Sequence, residues 1–336
     1  VKKVRNSKYL DVSGFPIDCH WYKGNLHSHT INSDGKLTPE QAVRKYHEHG
    51  YQFMCLSEHD LYTDYRSQLN QDDFIILPGL EASSSLLHSE DDRTCIKTHH
   101  MHGILGTQQM QDNASYHFAH NEILTAAIHY GCWDGFAAAQ KLVDTLHKHG
   151  CLVTYNHPIW SRIEPQEIVN LKGVWGIEIY NYNTVNESGT GADTAYWDLM
   201  LRSGHQIYGF ASDDNHNQGK FPDSFGGWVQ VAASALNHDS IVSALLMGKF
   251  YSSSGPEIYG WGVKDDFVWI DCSPCQRINF ICGGPVNAGT TIMAASEKKL
   301  DHGGMLLTGR ETYVRIECVD QNGKTAWTNA IFLQNA

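Results

Sequence analysis

Seven short β-rich runs succeed one another from residue 24 onward, with a polar residue of metal-ligand type recurring at or near their C-terminal ends. They are NLHSHT (25–30), FMCLSEHD (53–60), FIILPGLE (74–81), HMHGILG (100–106), CLVTYNHP (151–158), GIEIYN (176–181) and IYGFASDDNH (207–216). Each is followed by a turn and usually by a helical pattern, and such alternation predicts a parallel α/β architecture. Seven strands in series favour a barrel over an open sheet.

The helix after the first run is well marked: Thr38-Pro39-Glu40-Gln41 supplies an N-cap, a proline at the first helical position and the return partner of a capping box, and Gly50 ends it. Segments 134–149, 193–203 and 239–248 read as further amphipathic helices. The Ser-, Asp-, His- and Gln-rich stretch 84–122 reads as long loops overhanging the strand ends. After Gly255-Pro256 the texture changes to short β runs separated by Gly, Asn and Asp, with a hairpin signal at Asp320-Gln-Asn-Gly323. The expected division is a barrel domain over 1–256, bearing its motifs from about residue 22, and a small antiparallel, sandwich-like β domain over 257–336.

With 336 residues, 41% hydrophobic and 18% charged, the chain can bury a large core. No run has the length to span a bilayer, so no membrane partner is expected. The start lacks an apolar leader, which predicts a cytoplasmic chain, while the missing initiator Met leaves an exported origin open. A formal charge of −12 with no block of basic residues argues against polynucleotide binding. The nine cysteines, odd in number and mostly in apolar segments, read as reduced core residues. Cys272-Ser-Pro-Cys275 lacks a second pair at matched spacing, since Cys282 and Cys318 do not supply one, and reads as structural. Oligomeric state is left open.

In a parallel barrel the C-terminal strand ends converge on one face. Taken in order, those ends present His27 and His29, Asp34 on the following loop, then His59, Glu81, His102, His157, Asp214 and His216. Each alone has a plainer role: Glu81 could cap a helix, His157 before Pro158 could serve a turn, and Asp214 could form an Asx turn. Their joint arrival at one mouth points to a metal centre. On the fourth run His100 and His102 share a face; His102, nearer the apolar end, is the preferred ligand, with His100 the alternative.

The pattern resembles the PHP family, the polymerase and histidinol phosphatase metal-dependent phosphoesterases, over about residues 22 to 256. The matching motifs are His27-x-His29 with Ser33-Asp34-Gly35, Glu58-His59-Asp60, Pro78-Gly79-Leu80-Glu81, Asn156-His157-Pro158 and Asp214-x-His216. The resemblance implies a distorted (β/α)7 TIM-like barrel holding two to three divalent ions of manganese, iron or zinc. It implies that His27, His29, Glu81 and Asp214 hold one ion, that Glu81 bridges to a second held with His102 and His157, and that Asp34, His59 and His216 hold the third. The implied activity is hydrolysis of a small phosphorylated metabolite or nucleotide, with Glu81 and Asp214 central to it. An amide or ester hydrolase, or a metal-binding regulatory module without turnover, are the competing expectations.

A phosphate also needs donors. Arg162, on the loop after the fifth run, is the candidate for a forked contact. Trp160 and Tyr180 are candidates to line the pocket. Asn156, Asp213 and Asn215 flank ligands and are candidates to orient them. His88 and His99 are the candidates for a leaving-group acid.

Overall fold

The computed structural model describes residues 7–16, 19–295 and 298–335. The chain divides into two compact units, His20–Met247 and a second made of Val1–Cys19 with Gly248–Ala336. The change of unit thus falls at 247/248 rather than at 256/257, and the N-terminal segment belongs with the C-terminal β region.

In the larger unit six of the expected runs fall on β2 (Phe53–Leu56), β3 (Ile75–Leu87), β4 (Cys95–Leu105), β5 (Cys151–Tyr155), β6 (Gly176–Asn181) and β7 (Tyr208–Ser212), whereas the first, 25–30, shares only Asn25 with the strand that precedes it, β1 (His20–Asn25). An eighth strand, β8 (Trp228–Ala233), was not expected. Helices α1 (Pro39–Glu48), α2 (Gly135–Lys148), α3 (Thr194–Arg202) and α4 (His238–Leu246) lie where the periodicity puts them. The Thr38 hydroxyl accepts from the Gln41 N–H, and Gln41 reaches back to the Thr38 N–H, completing the capping box. The buried face of α1, Ala42, Val43 and Tyr46, packs with Tyr51, Met54, Leu56, Phe74 and Ile76. Burial of each large apolar side chain there stabilises by roughly 1.5–3 kcal/mol.

Strand order is β7-β6-β5-β4-β3-β2-β1-β8. β1, β2 and β3 run parallel, as do β5, β6 and β7, but β4 is antiparallel to both β3 and β5, and β8 is antiparallel to β1. The uniformly parallel series expected from the sequence is therefore a mixed sheet. Past the ends of β1 and β7 the two flanks meet: the Asp214 N–H donates to the His27 carbonyl and the His29 N–H to the Asn215 carbonyl, each at 3.0 Å. The stretch 84–99, expected as loop ahead of the run 100–106, is largely a hairpin of β3 and β4, because Ser84 to Leu87 pair with residues 95–99.

The C-terminal unit is antiparallel β. One sheet orders the short strand Val12–Ser13 with β10 (Ile258–Lys264), β11 (Phe267–Cys275) and β14 (Leu300–Leu306). A second group pairs β9 (Phe250–Ser253), β16 (Thr325–Thr328), β15 (Tyr313–Val319), β12 (Arg277–Cys282) and β13 (Gly289–Met293) in that order. The hairpin between β15 and β16 closes at Gly323, whose φ of 78° requires the left-handed region. Among the described residues no helix is long and apolar enough to cross a membrane.

Candidate metal centre

His27 and His29 lie just past the end of β1 rather than within it, on either side of Ser28, which bridges Asn215. Their Nε2 atoms are 3.1 Å apart. Asp214 Oδ1 lies 3.0 Å from the first and 3.1 Å from the second. The turn after the pair lies close against it: a Cβ on Gly35 would sit 2.5 Å from the His29 carbonyl oxygen, so only glycine fits. Asp214 and His157 both adopt left-handed backbone, with φ of 54° and 24°. Such conformations cost about 1–3 kcal/mol each and persist only where neighbours hold them. Asp213 supplies part of that hold, accepting the N–H groups of Phe225, Gly226 and Gly227 and the Tyr46 hydroxyl at 2.7–2.8 Å.

Glu81 occupies the middle of the cluster and is fully buried. Its Oε1 faces His27 Nε2 at 3.3 Å, His100 Nδ1 at 3.4 Å and His157 Nε2 at 3.3 Å. Its Oε2 faces His29 Nε2 at 3.4 Å and His59 Nδ1 at 3.1 Å. Asn156 donates to Oε1 at 2.8 Å, in the orienting place expected of it. Farther out, Asp34 Oδ1 lies 3.2 Å from His216 Nε2 and 3.6 Å from His59 Nε2.

These donors suit divalent cations. His27, His29 and Asp214 form one group able to hold an ion, and His27, Glu81 and His157 another. His59, Glu81 and His100 make a third, and His29, Asp34, His59 and His216 a fourth. Three N or O donors placed about 2.1 Å from one ion at right angles are about 3.0 Å apart, the spacing of the first group. Glu81 Oε2, His100 Nδ1 and Asp214 Oδ1 are buried without a hydrogen-bond partner, which native structures rarely tolerate. The field is strongly negative. Burial pulls the His157 imidazole down, yet the Glu81 hydrogen bond lifts it to about 8. Burial likewise opposes protonation of His216, and the Asp34 hydrogen bond raises it to about 9. Burial pushes the Asp34 carboxyl up, but the His216 contact holds it down at about 2.

Of the residues predicted from sequence, His27, His29, Asp34, His59, Glu81, His157, Asp214 and His216 come together. His102 does not. The structure brings His100 to Glu81 instead, while His102 packs edge-on under His27 with ring centroids 4.2 Å apart and neither nitrogen partnered. The reason is the direction of β4: because it runs against β3 and β5, its earlier residues, not its later ones, lie toward the mouth. Arg162 is exposed and does not line the cavity beside the cluster. A left-handed turn at its own position, φ 61°, ends the Pro158–Ser161 segment there. Tyr180 is also absent from the lining, whereas Trp160 is present and donates to Glu187 Oε2 at 2.7 Å. Neither His88 nor His99 lines the cavity; His99 is buried against Tyr155 and Trp133.

Three contributors were given no role by the sequence reading, although Glu58 stands in the motif Glu58-His59-Asp60. Glu178, fully buried on β6, lies 2.9 Å from His27 Nδ1 and also accepts from the His157 N–H and the Asn181 amide. An acid in the otherwise apolar run GIEIYN was its signal. Glu58 accepts from the Thr30 N–H at 3.0 Å and the Ser33 hydroxyl at 2.6 Å, bracing the turn that carries Asp34. Lys220, on the loop after His216, lines the cavity of about 190 Å³ together with Trp160, Phe221 and the metal-ligand candidates. Nothing in its local sequence marked it.

No known family model matches the chain, and no curated protein does. Among solved structures it is similar to a two-domain protein of Bacteroides vulgatus containing a predicted PHP-like metal-dependent phosphoesterase, at 12% identity and TM-score 0.45, covering 98% of this chain and 100% of that one. It is similar to a candidate metal-dependent phosphoesterase of Bifidobacterium adolescentis, at 15% identity and TM-score 0.40, covering 67% of this chain and 95% of that one. It is also similar to an amidohydrolase of Chromobacterium violaceum with bound sulfate and no metal, at 14% identity and TM-score 0.40, covering 68% and 96%. The first of these names agrees with the family that the motifs resemble. With all three TM-scores below one half, the likenesses say nothing of this chain's activity.

Proposed function

We propose that this chain is a metal-dependent hydrolase of phosphoric esters acting on a small phosphorylated molecule. The observation that carries the reading is Glu81, whose buried carboxylate lies 3.1–3.4 Å from five imidazoles belonging to all three donor sets, as a carboxylate shared between neighbouring cations does. In this reading two to three divalent ions, manganese, iron or zinc, are held by three donor sets: His27, His29, Asp214 and Glu81; Glu81, His100 and His157; and Asp34, His59 and His216. The sheet is then a distorted barrel with β4 reversed. Bound ions of this kind supply a water nucleophile at neutral pH and offset the charge that builds on a phosphoryl oxygen.

The chain's own residues prepare that site. Glu178 keeps the proton of His27 on Nδ1, and the Asp214 carbonyl, 2.8 Å from His216 Nδ1, does the same for His216. Ser161 Oγ contacts His157 Nδ1 at 3.1 Å. For His27 and His216, whose Nδ1 partners can only accept, the Nε2 lone pair is left for the centre, and an Nδ1–H of His157 donating to the Ser161 hydroxyl would leave its Nε2 free in the same way. Lys220 offers the ammonium that would meet a phosphate, in the place for which the sequence suggested Arg162. Trp160 and Phe221 form part of the cavity wall.

Phosphomonoesters, phosphodiesters and amides offered to the manganese- and zinc-loaded chain and to its Asp214→Ala variant test the proposal. Phosphate release by the wild type and its loss in the variant are expected. Amide turnover without phosphate release would replace it with another hydrolase, and metal binding without turnover would leave a binding module.

A further inference from the structure

We propose that Cys272, Cys275 and Cys318 form a zinc-binding thiolate site that ties together the two sheets of the C-terminal unit. The sequence offered a lone Cys-x-x-Cys; the fold adds the third sulfur. Cys272 and Cys275 stand on β11 of one sheet and Cys318 on β15 of the other. All three are buried within one apolar cluster with Ile258, Ile270 and Ile316.

Residues three apart on a regular strand face opposite sides. Here a register shift intervenes: Asp271 pairs with His302 and Cys275 with Leu300, so β11 spends four residues where β14 spends two. The extra length is the Ser273-Pro274 bulge, and proline is tolerated there because a bulge needs no ladder donor. Ser273 is pinned to Glu257 by two hydrogen bonds of 2.9 Å, one from its N–H and one to its hydroxyl. The bulge turns both cysteines inward.

The Cys272 and Cys275 sulfurs are 4.0 Å apart, and all three sulfurs lie within 4.8 Å of one another. Two thiolates each about 2.3 Å from a zinc ion are about 3.8 Å apart at the tetrahedral angle and about 4.0 Å apart at 120°. The observed pair has that spacing, and a disulfide, joining two sulfurs, would give the third no part. Among the described residues no His, Asp or Glu joins the group. A purely sulfur donor set selects a soft ion. Three thiolates about a divalent ion leave one net negative charge in an apolar core, against two about a cuprous ion, which favours zinc.

Cobalt(II) titration of the fully reduced, full-length chain tests this, because thiolate ligation gives a near-ultraviolet charge-transfer band that imidazole and carboxylate ligands do not. Cobalt in excess of the two to three ions proposed for the larger unit is expected to develop the band, zinc to abolish it, and Asp214→Ala to retain it. Cys318→Ala is expected to lose it, with Cys275→Ala as the second variant should the first not fold. Absence of the band in the wild type, or its survival undiminished in either cysteine variant, would overturn the proposal. Both outcomes are independent of the activity proposed for the larger unit.

Discussion

His27 Nδ1 lies 2.9 Å from Glu178 Oε1, and this contact decides which nitrogen of His27 faces the cluster. Glu178 also takes hydrogen bonds from the Ser212 hydroxyl, the Asn181 amide and the His157 N–H, so as a carboxylate it can only accept. The imidazole proton therefore stays on Nδ1, and Nε2 turns its lone pair toward Asp214 and His29. A glutamine at 178 would place an N–H donor in the network. Glu178→Gln is expected to weaken metal binding by about 10- to 100-fold, as read by calorimetric titration with Mn²⁺. Unchanged affinity would remove Glu178 from the support of the site.

Glu81 joins the donor groups to one another, so its loss should affect more than one ion. In the wild type, metal at about 100 times its Kd is expected to stabilise the fold by about 2.7 kcal/mol, and chelation to reverse this. Glu81→Gln is expected to bind fewer ions by elemental analysis and to show a smaller rise in Tm on metal addition. Full stoichiometry in that variant would contradict the bridging role.

Two histidines of the fourth strand, His100 and His102, carry opposite expectations. His100→Leu removes a donor facing Glu81 and is expected to lower metal stoichiometry. His102→Leu removes a buried ring with neither nitrogen partnered, so it is expected to keep the metals and to gain about 1–3 kcal/mol of stability. Denaturant melts and metal analysis of the two variants separate these outcomes, and the reverse pattern would restore His102 as the ligand.

Lys220 lines the cavity and Arg162 does not. Lys220→Ala is expected to raise KM for a phosphoester about tenfold, equivalent to about 1.4 kcal/mol, with kcat little changed. Arg162→Ala is expected to leave both constants near wild type. Steady-state kinetics on the two variants is the measurement.

Asp193 provides a pH-dependent stability. Burial raises its carboxyl from 3.8 to about 8, and the Ile159 N–H donating to Oδ1 only partly offsets this. Between those values the folded chain holds a proton that the unfolded chain has released. The contribution is therefore fully present below about pH 4 and is lost as pH rises through about 8, with a slope of up to about 1.4 kcal/mol per pH unit. Asparagine has no such proton. The difference in unfolding free energy between wild type and Asp193→Asn should move in the variant's favour across that window; a flat difference would refute the assignment.

Much of the site could be read along the chain because metal chemistry restricts residue type: only a few side chains ligate divalent ions, and here they recur at the ends of β-rich runs. The capping box of α1, the helices and the Asp320–Gly323 hairpin were equally legible, since each depends on neighbours within a few residues. Strand direction was not. β4 reverses against β3 and β5, and that pairing, a long-range hydrogen-bonding choice, moved the preferred position from His102 to His100.

The same division separates the remaining residues. Local sequence determined that His27, His29, Glu81, His157 and Asp214 would be available as donors, because their spacing and chemistry belong to short segments. Tertiary structure alone decided that Glu178 would hold the His27 proton, that Lys220 rather than Arg162 would line the cavity, and that Cys318 would meet Cys272 and Cys275. Glu178 is separated from His27 by 151 residues. No local pattern encodes a contact between segments that distant, because it is made by the packing of the strands that carry them.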